Sequence, residues 1–182
     1  ISDLLKQSEG YLPIRMNFQG IDSKWYESDG AFAKMIVGQL SEYFEYEAPE
    51  LDEFIRDFVE AIDISMDSLS KLITKLSHRS SKKLVLLIDE VDASSNYMPF
   101  LSFLGMLRTK YLDRESPQHR TFHSVMLVGV HDVKSLKYRL RNPEEAQYNS
   151  PWNIAVDFTS EMEFSPSEIA PMLREYSGAE GI

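Results

Sequence analysis

The stretch LVLLIDEVD, residues 84–92, decides how this chain folds. Five apolar residues, Leu84 to Ile88, stand between Lys82-Lys83 and Asp89-Glu90. The run is too short for a core helix, so it reads as a strand buried on both faces, of the kind found in parallel sheets. In an open α/β sheet, ligands bind at the carboxyl ends of the strands, and that is where Asp89 and Glu90 fall. Apolar residues followed by Asp-Glu form the Walker B pattern. The first carboxylate assists a hydrated magnesium ion, which prefers oxygen ligands and keeps several waters. The second, pointing elsewhere, can accept a proton from an attacking water. The structural alternative is a strand end that is acidic only because it is exposed.

Working outward, residues 125–128 (VMLV) form a second wholly apolar strand with Gly129 near its end. Upstream, Leu12, Ile14, Met16 and Phe18 alternate with Pro13, Arg15 and Asn17, the period of a strand with one buried face. Pro13 cannot donate to a ladder, which puts this strand at a sheet edge or near its start. Helical patterns fill the space between. Residues 2–8 read as a helix end closed by Glu9-Gly10, with glycine taking the left-handed position. Asp29 is expected to cap a helix carrying Phe32, Ile36, Leu40 and Phe44. After Pro49, Leu51, Phe54, Ile55, Phe58, Val59 and Ile62 follow helical spacing and leave the acidic residues on the outer face. Leu69, Leu72, Ile73 and Leu76 repeat the pattern, ended by a polar loop over residues 77–83, and Phe100, Leu104, Leu107 and Tyr111 share one face of a further helix. Strands separated by helices give an α/β fold with a largely parallel sheet. A short basic helix over 134–141 and a strand within 154–164 follow. Ser165-Pro166-Ser167-Glu168 is a capping-box helix start, and residues 178–182 read as a frayed end.

Composition narrows the class. With 182 residues, 43% hydrophobic and 26% charged, the chain has the balance of a globular protein, and its size suits one domain or one domain plus part of another. The absence of cysteine excludes disulfides, thiolate metal sites and cysteine nucleophiles, and makes the cytoplasm the default location. No apolar run approaches the roughly 20 residues of a membrane span. A net charge of −10 disfavours general affinity for nucleic acid or anionic membrane. That charge is uneven: nine acidic residues between Glu45 and Asp67 face Arg56 alone, whereas residues 105–141 carry an excess of Lys and Arg that could meet phosphate. Both runs also read as solvated faces.

Several phrases carry a resemblance: NFQGID (17–22), LLIDEVD (86–92), FLGMLRTKY (103–111), FHSVMLVGVHDVKSLK (122–137) and YNSPWNIAVDF (148–158). In order and spacing they resemble the P-loop AAA-ATPase-like proteins of bacteria, from about the first strand to Leu173. The resemblance implies an ATP- and magnesium-dependent nucleotide hydrolase. Residues 1–164 would be a partial ATPase core and residues 165–182 the start of its helical lid. Asp89 would be the metal carboxylate and Glu90 the base that activates water. His131 and Asp132 would stand at the sensor position beside the γ-phosphate. The Walker B strand would lie between the 12–18 and 125–130 strands.

One motif of that family is missing. A P-loop requires G-x-x-x-x-G-K-[ST], whose amides and lysine cradle the phosphates, and these 182 residues contain no Gly-Lys pair. The expectation is a piece of a longer protein, opening on Ile1 and lacking the first strand and the P-loop, inactive until an upstream P-loop completes it. Members of the family often carry a nuclease-like domain of the PD-(D/E)XK type, so a link to nucleic acid is implied by analogy alone. The competing reading is a non-catalytic protein-interaction or self-association module on the same fold. Other chemistry finds little footing. His78, His119, His123 and His131 lack metal-site spacing. No G-x-S-x-G elbow exists. Arg108 and Arg114 follow Walker B where ring ATPases carry an arginine finger, but the better reading is ordinary surface residues. Trp25 and Trp152 could stack on bases or pack in the core.

Overall fold

The computed structural model describes residues 2–95 and 97–129, together with residues 166, 167, 169–171 and 174. Three parallel strands, β1 (Tyr11–Asn17), β2 (Lys83–Asp89) and β3 (Ser124–Leu127), form a sheet in the order β1-β2-β3. The strand ending in Asp89 is therefore the middle one, as expected. Register aligns Leu12 with Leu84, Ile14 with Leu86 and Met16 with Ile88, then Leu86 with Val125 and Ile88 with Leu127. The period of two puts all of these on one face, where they meet the core. On the other face Val85 is buried but Leu87 only half so. Burial of β2 on both faces is thus nearly complete. β3 is less covered than its composition implies: all four residues are half-buried and Val128 is 50% exposed.

The helices are α1 (Ser2–Lys6), α2 (Asp29–Glu47), α3 (Pro49–Ala61), α4 (Met66–Arg79), α5 (Val91–Ser94) and α6 (Met98–Leu112). The expected stripe of α2, from Phe32 through Ile36 and Leu40 to Phe44, is fully buried, and Leu69, Leu72, Ile73 and Leu76 of α4 are sealed completely. A capping box at Ser65 and Ser68 satisfies the first turn of α4. Phe32 is the hub, with ring centroids 6.0 Å from Phe18, 5.6 Å from Tyr26, 6.3 Å from Phe100 and 5.8 Å from Phe103. Tilted and edge-to-face arrangements of this kind match the ring quadrupoles.

Local expectations are corrected at several points. The cap of α2 is Ser28, whose hydroxyl accepts from Ala31 N at 3.1 Å, and Asp29 begins the helix. Gly10 does not take the left-handed conformation, since the turn after α1 closes through Ser8 N to Leu5 O. The acidic face of α3 has one inward member: Asp52 is buried, accepts from the Ser41 hydroxyl of α2 and pairs with Arg56 Nε at 2.8 Å. Val59 and Ile62 are each 42% exposed: α3 turns Leu51, Ile55 and Phe58 inward with Phe54 partly buried beside them, and it ends at Ala61, before Ile62. α4 continues through Ser77 to Arg79, so the polar loop starts later than the composition implies. On α6, Tyr111 is exposed and Lys110 takes the inward position, donating from Nζ to Thr74 Oγ1 of α4 at 2.5 Å.

Residues 166, 167, 169–171 and 174 are helical, in keeping with a helix start after Ser165. Ser165 and Glu168 themselves, the 134–141 helix, the 154–164 strand, Trp152 and the chain end lie outside the described residues.

Candidate functional site

Parallel strands bring their carboxyl ends to one edge of the sheet. β1 ends at Asn17, paired in register with Asp89, and Phe18 N donates to Asp89 O at 3.1 Å. Beyond it, Asn17 Oδ1 accepts from Gln19 N at 2.8 Å, and Gly20 turns the chain at φ +72°. Glycine meets that left-handed requirement without a Cβ penalty.

β2 ends at Asp89, whose side chain is exposed and whose Oδ1 accepts from Glu90 N at 3.0 Å. Glu90 is half-buried and has φ 56° and ψ 41°, the one non-glycine residue with positive φ among the described residues. A side chain in this left-handed region costs about 1–2 kcal/mol. The backbone bends off the strand direction at Glu90, and α5 starts at Val91 immediately afterwards. Neither Asp89 nor Glu90 is in an ion pair among the described residues.

The bend is tied to both neighbours. Val91 N donates to Val128 O at 3.1 Å and Val128 N to Ile88 O at 2.9 Å, locking the strand end to β3. Gly129 follows, and a Cβ there would lie 2.5 Å from Asp92 Oδ2 and 2.8 Å from Val91 Cγ2, so the carboxylate of Asp92 packs directly on glycine backbone. On the other side Tyr26, in a 3₁₀ turn over Ser23–Tyr26, meets Ser94 Oγ at 2.5 Å and stacks on Tyr97 with centroids 4.0 Å apart. Burial raises the Tyr26 hydroxyl pKa, the Ser94 contact opposing that shift. The phenol is therefore a neutral strut between the loop after β1 and α5.

Asp89 and Glu90 thus stand where the sequence puts them, at the open carboxyl edge of the middle strand. His131 and Asp132 lie outside the described residues. Arg114 is at the opposite end of the sheet, beside Lys83 and Leu84. Trp25 is half-buried against the core, which meets the packing expectation, with Lys24 Nζ 5.5 Å from its ring. Among the described residues no group of three or more His, Asp or Glu side chains forms a metal cage. Two cavities among the described residues, of about 710 and 550 Å³, are lined by other residues.

Sequence reading did not single out Asn17, Tyr26, Ser94, Asp92 or Gly129 for the site. A signal existed for Asn17, the last polar residue of the predicted 12–18 strand, and for Gly129, which directly follows the predicted 125–128 strand. Tyr26 and Ser94 are brought together only by tertiary structure. No helix among the described residues is long and apolar enough to cross a membrane. Comparison of the chain with protein families, with curated proteins and with solved structures finds no match.

Proposed function

We propose that this chain is the core of an AAA-ATPase-like protein that hydrolyses ATP with magnesium once a phosphate-binding loop is supplied. The observation that carries the reading is the pair Asp89 and Glu90 at the carboxyl end of the middle strand, unpaired among the described residues and with a left-handed backbone at Glu90. Magnesium commonly binds through one or two carboxylates plus substrate phosphates, so a lone exposed carboxylate suits it. Asp89 would hold the ion directly or through water, with its Oδ1 steadied by Glu90 N. The ion would neutralise phosphate charge. Glu90, set off the strand axis, would take the proton of a water attacking the terminal phosphorus. His131 and Asp132 belong to this reading as the sensor beside the γ-phosphate.

The same chain lacks a Gly-Lys pair, so phosphate cradling must come from outside these 182 residues. That absence favours the second reading, a protein-interaction module retaining the fold without turnover. The full-length protein separates the two. Magnesium-dependent ATP hydrolysis, lost by roughly 10²–10⁴-fold in Glu90→Gln with nucleotide binding kept, supports the catalytic assignment. Equal turnover in that variant rejects Glu90 as the base, and no turnover in the full-length protein leaves the interaction module.

A further inference from the structure

At the amino end of the sheet, opposite Asp89, a cavity of about 550 Å³ opens between the end of α4, the start of β2, the end of α6 and the segment entering β3. Its walls carry Lys82, Lys83, Arg114, Arg120 and His123, with Glu115 as the one acidic lining residue. In a chain with 29 acidic and 19 basic residues this is a reversal of sign. It is also left uncompensated. Ion pairs among the described residues engage Lys6, Lys24, Lys34, Arg56 and Lys71, and none of the four cavity cations is paired with a carboxylate there.

Helix ends explain only part of this. The last carbonyls of α4 and α6 favour nearby cations, and Arg114 Nη1 does donate to Tyr111 O at 2.7 Å while its guanidinium lies 4.1 Å from the Tyr111 ring. These contacts fix Arg114 in position but leave its charge unneutralised and its other N–H groups available. Arg120 Nη1 lies 3.4 Å from His78 Nδ1, and Lys83 Nζ sits 5.6 Å from the Tyr11 ring. Neither neighbour is an anion.

Two hydroxyls give an independent sign. Ser77 is 7% exposed, lines the cavity, and its Oγ has no hydrogen-bond partner among the described residues; Thr121 Oγ1, in the same lining, is likewise buried and unpartnered. Buried polar groups are nearly always satisfied. Hydroxyls that donate, beside guanidinium forks and ammonium groups, form the donor set that takes phosphate oxygens.

We infer that this cavity binds the phosphate group of a small phosphorylated ligand, held by Lys82, Lys83, Arg114 and Arg120 with Ser77 and Thr121 donating from the wall. The site lies at the opposite end of the sheet from the proposed ATP site and does not depend on it. The experiment is calorimetric titration of the purified chain, at constant ionic strength and without divalent metal, with inorganic phosphate, inorganic pyrophosphate and ribose 5-phosphate. Saturable binding of at least one is expected. Tighter binding of ribose 5-phosphate than of inorganic phosphate identifies a sugar-borne phosphate, and the reverse order a free one. Arg114→Gln with Arg120→Gln is expected to weaken binding at least tenfold, and Ser77→Ala several-fold without lowering the melting temperature. Lys34→Gln with Lys71→Gln removes the same charge elsewhere and is expected to leave binding unchanged. No saturable binding of any probe, or equal weakening in that charge-matched control, overturns the site. Should the arginine pair fail to fold, Ser77→Ala decides, and unchanged binding there overturns it.

Discussion

The backbone of Glu90 offers a sharp test of whether this residue is held for chemistry or for folding. Its φ of 56° and ψ of 41° put a side-chain-bearing residue in the left-handed region, at a cost of about 1–2 kcal/mol. Its carboxylate has no ion pair among the described residues to offset that cost. Replacing Glu90 with glycine removes the Cβ conflict but gives the unfolded chain more freedom, which returns roughly 0.5–1 kcal/mol. The net is a gain of roughly 0.5–1 kcal/mol, or about 1–4 °C in melting temperature for a chain of this size. Glu90→Ala keeps the Cβ and the strain, so it is expected to match the parent protein. Urea denaturation of the three proteins, with a common m-value, reads the difference directly. If Glu90→Gly is no more stable than Glu90→Ala, the bend at Glu90 is not strained and the inference from strain to function fails. A more stable Glu90→Gly that has lost turnover in the full-length protein would show a carboxylate retained against the preference of the fold.

Two further perturbations probe the packing that carries the site. Phe32→Ala empties the aromatic hub, where Phe32 is fully buried against Phe18, Tyr26, Phe100 and Phe103, and should cost about 3–5 kcal/mol in chemical denaturation. A loss under about 1 kcal/mol would mean the rings do not close on one another as described. Lys110, buried against Thr74, has its ammonium pKa lowered by desolvation. The native state therefore binds fewer protons than the unfolded state between the lowered value and the unfolded value of about 10.4, and stability rises with pH across that window. Below the window both states are protonated and the full cost of burying the charge is present. Lys110→Met should accordingly raise stability on the order of 1 kcal/mol near neutral pH and abolish that component of the rise. Parallel pH profiles of parent and variant would contradict the buried-charge account.

The fold was legible where pattern and burial coincide. The strand over 84–88 announces itself because both faces lose water, and α4 because Leu69, Leu72, Ile73 and Leu76 all turn inward. The reading failed where a single residue is decided by a partner far along the chain. Asp52 looks like one more acidic surface residue until Ser41 of α2 and Arg56 satisfy it. Tyr111 and Lys110 exchange expected places because Thr74 offers the lysine a hydrogen bond in the α4–α6 contact. At the site, Asp89 and Glu90 were readable from local order, and the bend between them was not, since a left-handed glutamate has no sequence signature. Nor could spacing alone reveal that Lys82, Arg114 and Arg120 share one cavity.

The pairing of β1 with β2 also has a bearing on how the chain is made. Tyr11 finds Lys83 and Asn17 finds Asp89 across the whole of α2, α3 and α4, so a ribosome adding roughly 5–20 residues per second leaves the first strand without its neighbour for several seconds. During that delay α1 and α2, both of which contact β1 in the folded protein, are available to shelter Leu12, Ile14 and Met16, and the Tyr43 hydroxyl of α2 donates to the carbonyl of Pro13 in the finished fold. Proline at that point withholds a backbone donor from any stray strand, a safeguard in the nascent polypeptide at the stage when it is most open to mispairing.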